Sequence, residues 1–474
     1  MELPEWVKKF KTKGIEIRKR GKTYHAYKIK SKWNPQKKRS QKITEAYLGV
    51  VTPNGFYKPR KQGRLKGDYE YGNVCFLWKL AEESGLLDLL KEHYPYDWEQ
   101  IICFIILRIV RPIALKSIHI LFEKTYLCKR FKKTSMFPKS LSTLLGEIGT
   151  DFKTRHQLMV KLTQNGKYII VDLTALLSYS KNITKLERGK NKDHLYIPQL
   201  NMLLLFSSDM KVPTYVRLLP GSVRDVSTIQ NTVKMVNVKH CIFIGDRGFY
   251  SATNVKAIKS AKMSYLLPLK RNSSLIPKRL PESFDGVFSY NDRPIIYWKQ
   301  KRRGQFLYFY EDKLLTKEEE TTYLKLIEQG KKTIESYNKK RSKFGKIFFV
   351  SDLDENPETI YYLYKARAKI EKAFDVFKNL LEADKSHLQD DDKVEGYTFV
   401  NFLALYIYYL ALNKLQEHEL NKKYSVGDVV LELSKVKIYE YENGETMSEI
   451  PKRVRKIVEQ LNIDFDLLRI DGRS

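Results

Sequence analysis

The sequence predicts an α/β protein: a mixed-sheet core, preceded by a small basic β module and a helical domain, and interrupted by a β-rich insertion. Three observations predict it. Residues 1–66 alternate in strand period and are strongly basic. Residues 67–165 carry apolar positions at helical spacing. Beyond them, short apolar runs alternate with helical stretches, and two of those runs end at an aspartate, Asp172 and Asp246.

Charge narrows the partners. The 474 residues hold 86 Lys+Arg against 55 Asp+Glu, a formal charge of +31. An excess spread over the whole length implies a polyanion, with nucleic acid ahead of an anionic membrane surface. Cys75, Cys103, Cys128 and Cys241 have no C-x-x-C spacing and read as reduced thiols of a cytosolic protein. The charged stretch Met1–Lys13 lacks an apolar signal core. Ile101–Leu107 is cut short by Arg108, Arg111 and Pro112, and Tyr397–Leu412 contains Asn401. The first is too short to span and the second reads as a buried helix, so no membrane partner is expected.

In chain order, Gly14–Lys30 suggests a hairpin, Ser31–Lys42 a basic turn region with Asn34-Pro35 and the cluster Lys37, Lys38, Arg39, and Thr44–Val51 a further strand. This module is a candidate DNA contact. The helical region reads as Asn73–Leu90, Asp97–Val110 and Ile113–Phe131, with Arg108, Arg111, Lys129, Arg130, Lys132 and Lys133 on exposed faces. That suits either a DNA-binding bundle or one that only packs. The core spans 166–260 and 351–415. Its first strand runs from Lys167 to Asp172, a hairpin turns at Asp209–Lys211, and a short strand ends before Asp246. Open α/β sheets place ligand sites at such strand ends. Residues 261–350 form the insertion, with a hairpin around Lys301–Gly304, and 416–474 a polar tail.

Asn356-Pro357 caps a helix expected from Glu358 to Ala383, with Tyr364, Arg367, Glu371 and Lys378 spaced three, four and seven apart. At 3.6 residues per turn these fall within an arc of about 60°. A salt-bridged solvent face has the same spacing. Two strand-end aspartates upstream favour a second reading, in which Asp172, Asp246 and Glu371 converge on one metal site. Three carboxylates suffice for a pair of Mg²⁺ ions, which take oxygen ligands and leave room for water and phosphate; Mn²⁺ can substitute. Glu187, Asp193, Asp209, Asp225 and Asp375 compete for these roles, Asp209 as a turn residue and Asp225 as a helix cap.

The Tyr364, Arg367, Glu371, Lys378 pattern resembles the Y-(2)-R-(3)-E-(6)-K signature of DDE transposases in the insertion-sequence-four superfamily. Val171–Thr174 and Ile244–Ser251 resemble the segments around that family's two catalytic aspartates, and Leu219–Asp225 the segment between them. Ser222 departs from the asparagine of many relatives. The resemblance implies an RNase H-like core interrupted by a β-rich insertion. It implies metal-dependent cleavage at transposon ends, then strand transfer into target DNA. Asp172, Asp246 and Glu371 would be the catalytic metal ligands. Tyr364, Arg367, Lys378 and Arg247 would contact DNA, and Trp298 would stack a flipped base. Double-stranded DNA, both terminal inverted repeats and target, would be the partner of a homodimer in a prokaryotic cytoplasm, associated with the nucleoid. The alternatives are a metal-dependent nuclease without strand transfer, a domesticated or inactive DNA binder, and a structural nucleic-acid-binding protein whose acids coincide by chance.

Overall fold

A computed structural model describes residues 3–21, 23–35, 38–53, 55–57, 63–164, 166, 168–177, 183, 186–190, 196–222, 226–237, 241–245, 250–260, 262–277, 283–302, 304–380, 388, 390–466 and 468. The chain divides into two units, Met1–Asp68 with Tyr439–Met447, and Tyr69–Ile438 with Ser448–Ser474.

The first unit is built on an antiparallel sheet of β1 (Ile15–Arg20), β2 (Thr23–Asn34), β3 (Arg39–Thr52) and β4 (Gly55–Tyr57), in that order. Among its described residues Val7, Ala26 and Val51 form the buried apolar cluster, with Leu3, Phe10, Ile15, Ile17, Tyr24 and Leu48 packed against them. The expected basic turn region Ser31–Lys42 is mostly strand. Only the tip turns, where Pro35 follows Asn34 and Lys38 adopts a left-handed φ of 41°. Nearby, β5 (Leu65–Glu70) joins β16 (Lys437–Tyr441) and β17 (Gly444–Met447) in a three-stranded sheet. The expected polar tail thus contains a hairpin, flanked by helices Val426–Leu433 and Lys452–Gln460.

The second unit is organised by one mixed sheet. Its strands are β6 (Ile169–Leu177), β7 (Glu187–Lys190), β8 (Tyr196–Ser207), β9 (Val212–Pro220), β10 (Cys241–Ile244), β11 (Ser264–Pro268), β12 (Gly286–Tyr290), β13 (Arg293–Arg302), β14 (Gln305–Asp312) and β15 (Lys346–Ser351). Their order is β12-β13-β14-β15-β11-β10-β6-β8-β7, with β9 also paired to β8. β10 runs parallel to β6 and to β11, and the remaining pairs are antiparallel. The stretch 261–350 is therefore inserted in sequence but continuous with the sheet, because β15 pairs with β11 and carries β14, β13 and β12 outward.

Helix Asp391–Glu417 lies at the centre of the helical layer and packs on helices Pro138–Thr150, Trp98–Val110 and Gly72–Glu83 and on β9. Two glycines set its closest approach. A Cβ at Gly396 would sit 2.0 Å from the Leu145 carbonyl oxygen, and one at Gly149 would sit 1.7 Å from that of Asp392. The polar Asn401 in this apolar helix has a buried partner: Arg108 Nε donates to its Oδ1 at 3.0 Å, and Arg108 NH1 donates to the Ile113 carbonyl at 2.8 Å. Arg108 is only 2% exposed. It is a core residue rather than the surface cation its sequence neighbourhood suggests. The expected helix Asn73–Leu90 is broken by Gly85, whose φ of 73° ends one helix and starts the next at Leu86. Among the described residues, no helix is long and apolar enough to cross a membrane.

Candidate active site

β6 begins as a central strand. Ile169, Ile170 and Val171 are fully buried and bridge β10 on one side and β8 on the other. The pairing to β10 stops at Val171, opposite Phe243, while that to β8 continues from Asp172 opposite Leu204 to Leu177 opposite Gln199. The strand therefore does not end at Asp172 as its sequence suggests, because the long β8 holds it for five further residues. Asp172 is instead the first residue beyond the parallel pairing, where the sheet opens between two strands. It is partly buried, and its Oδ1 accepts the Leu173 N–H at 2.9 Å. β10 ends at Ile244, two residues before Asp246. Asp246 and Arg247 lie outside the described residues, as do Asp193 and Asp225.

The helix carrying the four-residue signature starts as expected. The Asn356 side chain accepts the Glu358 N–H at 2.9 Å, and Pro357 supplies the first helical φ. It packs against β6 and β13. It remains α-helical only to Asp375, after which Val376–Leu380 form a π-helical turn. Such turns hydrogen-bond at i→i+5 and rotate later side chains away from the α-helical register, so Lys378 departs from the common arc. There it meets the sheet. Lys378 Nζ donates to Thr174 Oγ1 at 3.0 Å. Thr174 and Asp172 are two apart on one strand and share a face. One end of the signature helix is thus fastened to the strand face that bears Asp172. Thr174 lies within the Val171–Thr174 segment that the sequence marks, but it was given no role there, because a threonine in a strand carries no signal of its own.

The other signature residues have distinct environments. Arg367 NH2 pairs with Glu371 Oε1 at 3.2 Å, with the Glu371 side chain 48% exposed. The Arg367 side chain is only 19% exposed, so the pair joins a mostly buried guanidinium to a carboxylate that reaches solvent. The Tyr364 ring packs on Phe349 of β15, with centroids 4.3 Å apart. Trp298 is half-buried and stands opposite Phe309 across β13 and β14, as a cross-strand partner does. Two lysines unmarked in the sequence also belong to this helix. Burial pushes the ammonium groups of Lys365 and Lys369 below the usual lysine range, and Lys211 adds to the effect at Lys369. Lys365 also lies over the rings of Tyr361 and Tyr290, at 5.1 and 5.6 Å.

Several competing acids have structural work. Glu187 Oε2 accepts the Ser222 N–H at 3.3 Å as well as the Ser222 hydroxyl. Asp209 Oδ1 accepts from Tyr168 N–H at 3.1 Å and from the Ser207 hydroxyl at 3.0 Å, which makes it the turn residue its position suggests. Asp375 is exposed at the end of the α-helix. Among the described residues, no three His, Cys, Asp or Glu side chains gather closely enough to hold a metal ion. Asp172 and Glu371 fit a hard cation by donor chemistry, since both offer carboxylate oxygens on adjacent elements.

No curated protein matches the chain. A cryo-EM structure of the piggyBac transposase synaptic complex with hairpin DNA is similar at 13% identity, over 87% of this chain and 89% of that chain, with a TM-score of 0.38. Similarity at that level transfers neither mechanism nor partner. Residues 149–407, more than half of the chain, match the family model described as the transposase DDE domain. That segment contains β6, β10 and the signature helix, and the chain belongs to this family of DDE transposases, enzymes that cleave DNA.

Proposed function

We propose that the chain is a cut-and-paste transposase of the insertion-sequence-four superfamily. It binds the terminal inverted repeats of its element as a homodimer, cleaves the DNA there, and joins the freed 3′-hydroxyl to target DNA. The observation that carries this reading is the 3.0 Å bond from Lys378 to Thr174, made from the signature helix to the strand face of Asp172. The strand order β9-β8-β6-β10-β11, with three antiparallel strands followed by two parallel to the first, supports an RNase H-like core.

Asp172, Asp246 and Glu371 would hold the metal ions, Mg²⁺ or Mn²⁺. A bound pair supplies charge stabilisation to the attacking and leaving oxygens of phosphodiester displacement. The chain's own residues do the rest. Glu371 exchanges its pair with Arg367 for the metal, and Arg367 turns toward a phosphate. Lys378, Arg247 and Tyr364 add phosphate contacts that fix the scissile bond. Trp298 is the aromatic assigned to a displaced base. Water's oxygen bonds to phosphorus as the P–O3′ bond breaks, which leaves a 5′-phosphate; the leaving 3′-oxygen takes a proton, and the resulting hydroxyl attacks a target phosphodiester, whose own 3′-oxygen leaves.

The test is incubation of the full chain with duplex DNA carrying its element's flanking repeats, Mg²⁺ and a target plasmid, with the cut strand mapped. Nicks leaving 3′-hydroxyl ends that join the plasmid are expected, with none in EDTA. Cutting without joining would reduce the reading to a nuclease, and no cutting would remove it.

A further inference from the structure

The first unit contains an element that its small core does not need. β1 covers β2 only from Thr23 to Lys28, and β4 covers β3 only from Val50 to Thr52. Among the described residues, 30–34 and 39–43 pair along the backbone only with each other, as a two-stranded ribbon with no third strand on either edge. From Ile29 to Thr44 there is no Asp or Glu, whereas Lys30, Lys32, Lys38, Arg39 and Lys42 are all exposed. Trp33, near the tip, is 61% exposed. An isolated ribbon of this kind is a poor structural investment, because both faces and both edges meet water.

Register sorts its side chains onto two faces. Directly opposed residues share a face, and alternate residues along a strand do too. The pairs Lys30↔Ile43, Lys32↔Gln41 and Asn34↔Arg39 therefore form one face. Ile29↔Thr44, Ser31↔Lys42 and Trp33↔Ser40 form the other. The first face carries three cations around two amides, and Asn34 Nδ2 donates to Gln41 Oε1 at 3.0 Å across it. Lys30 is partly neutralised by Glu45 at 2.6 Å, which leaves Lys32 and Arg39 as the principal charges.

We infer that this ribbon enters the major groove of duplex DNA, with the Lys32–Gln41–Asn34–Arg39 face toward the bases. The major groove of B-DNA is about 12 Å wide and admits a two-stranded β-ribbon. Asn and Gln side chains pair with base edges there, and flanking cations hold the phosphates. This inference rests on the proposed DNA-transposing function and names the element that reads its DNA.

The experiment measures binding of the full chain to a duplex bearing the flanking repeats and to an unrelated duplex of equal length, from 50 to 200 mM salt, with cleavage assayed separately. Loss of two phosphate contacts in the double variant Lys32→Gln/Arg39→Gln should flatten the salt slope by about 1.8, so that it loses about 12-fold less affinity than wild type over that range. Asn34→Ala/Gln41→Ala should keep the salt slope and lose about tenfold of the preference for the repeat duplex. Lys42→Gln, on the opposite face, should match wild type in both. Each variant lies on an exposed strand, and an unchanged melting curve confirms folding. Wild-type slope and preference in both double variants would overturn the ribbon inference while leaving cleavage intact. Wild type that neither binds nor cuts the repeat duplex would instead overturn the function on which it rests.

Discussion

The two units of this chain are built on opposite principles. Among its described residues the first buries only the small cluster Val7, Ala26 and Val51, and it spends much of its length on an exposed ribbon. The second buries Ile169–Val171 of β6 and surrounds helix Asp391–Glu417 with apolar side chains, down to Gly149 and Gly396 where no side chain fits. Chemistry that depends on carboxylate placement needs the second kind of scaffold, in which a shift of one side chain is resisted by dense packing. Contact with a long, repetitive polyanion needs exposed charge more than a deep core. The contrast predicts that substitutions in the second unit act on catalysis or stability, and those in the first on affinity.

The largest effect is expected at Asp172. Asp172→Ala should slow metal-dependent cleavage about a thousandfold or more, about 4 kcal/mol of transition-state stabilisation, while DNA affinity stays within about threefold. Cleavage at the wild-type rate would remove the residue from the site. Next is packing. Gly396→Ala forces a Cβ against the Leu145 carbonyl and should cost about 3 kcal/mol in denaturant unfolding, whereas Lys32→Gln in the first unit should change stability by less than about 0.5 kcal/mol. Equal effects would erase the contrast between the units.

Lys378 separates grip from positioning. If it reaches phosphate as proposed, Lys378→Met should lower the salt slope of DNA binding by about 0.9, and Thr174→Val should leave that slope unchanged. Identical behaviour of the two variants would make Lys378 a strut between helix and strand. The smallest effect concerns Asp352, whose carboxyl accepts the Tyr265 N–H at 2.9 Å and is pushed above the usual carboxylate range by burial. A raised folded-state pKa gives stability that is full below the unfolded value, about 3.9, and lost as pH rises through the folded one. Asp352→Asn should therefore melt slightly higher than wild type at pH 7, with the gain shrinking toward pH 4. A lower melting point at pH 7 would contradict the burial cost.

Local signals were legible in the sequence, and distant partners were not. The apolar run before Asp172 marked a buried strand correctly, because burial on two faces demands such a run. Its end was hidden, since it is decided by β8, whose pairing partners for Leu173–Leu177 lie between Gln199 and Leu203. Asn356-Pro357 announced the start of the signature helix, but nothing local announces a π-turn at Val376. Arg108 read as a surface cation because its partner Asn401 is 293 positions away. The ribbon read as a turn because lysines and Asn34-Pro35 outweigh strand propensity, although the turn itself fell in the right place. Of the four signature positions, Tyr364, Arg367 and Glu371 lie on the α-helix the spacing predicts, and Lys378 falls in the π-turn beyond it.

In the proposed site Asp172, Asp246 and Glu371 meet around metal. Anomalous diffraction from crystals soaked in Mn²⁺ tests it most directly. The expected result is density bounded by Asp172, Asp246 and Glu371, with carboxylate oxygens about 2.0–2.2 Å from the ion. Mn²⁺ bound elsewhere, with these carboxylates more than about 10 Å apart, would contradict it.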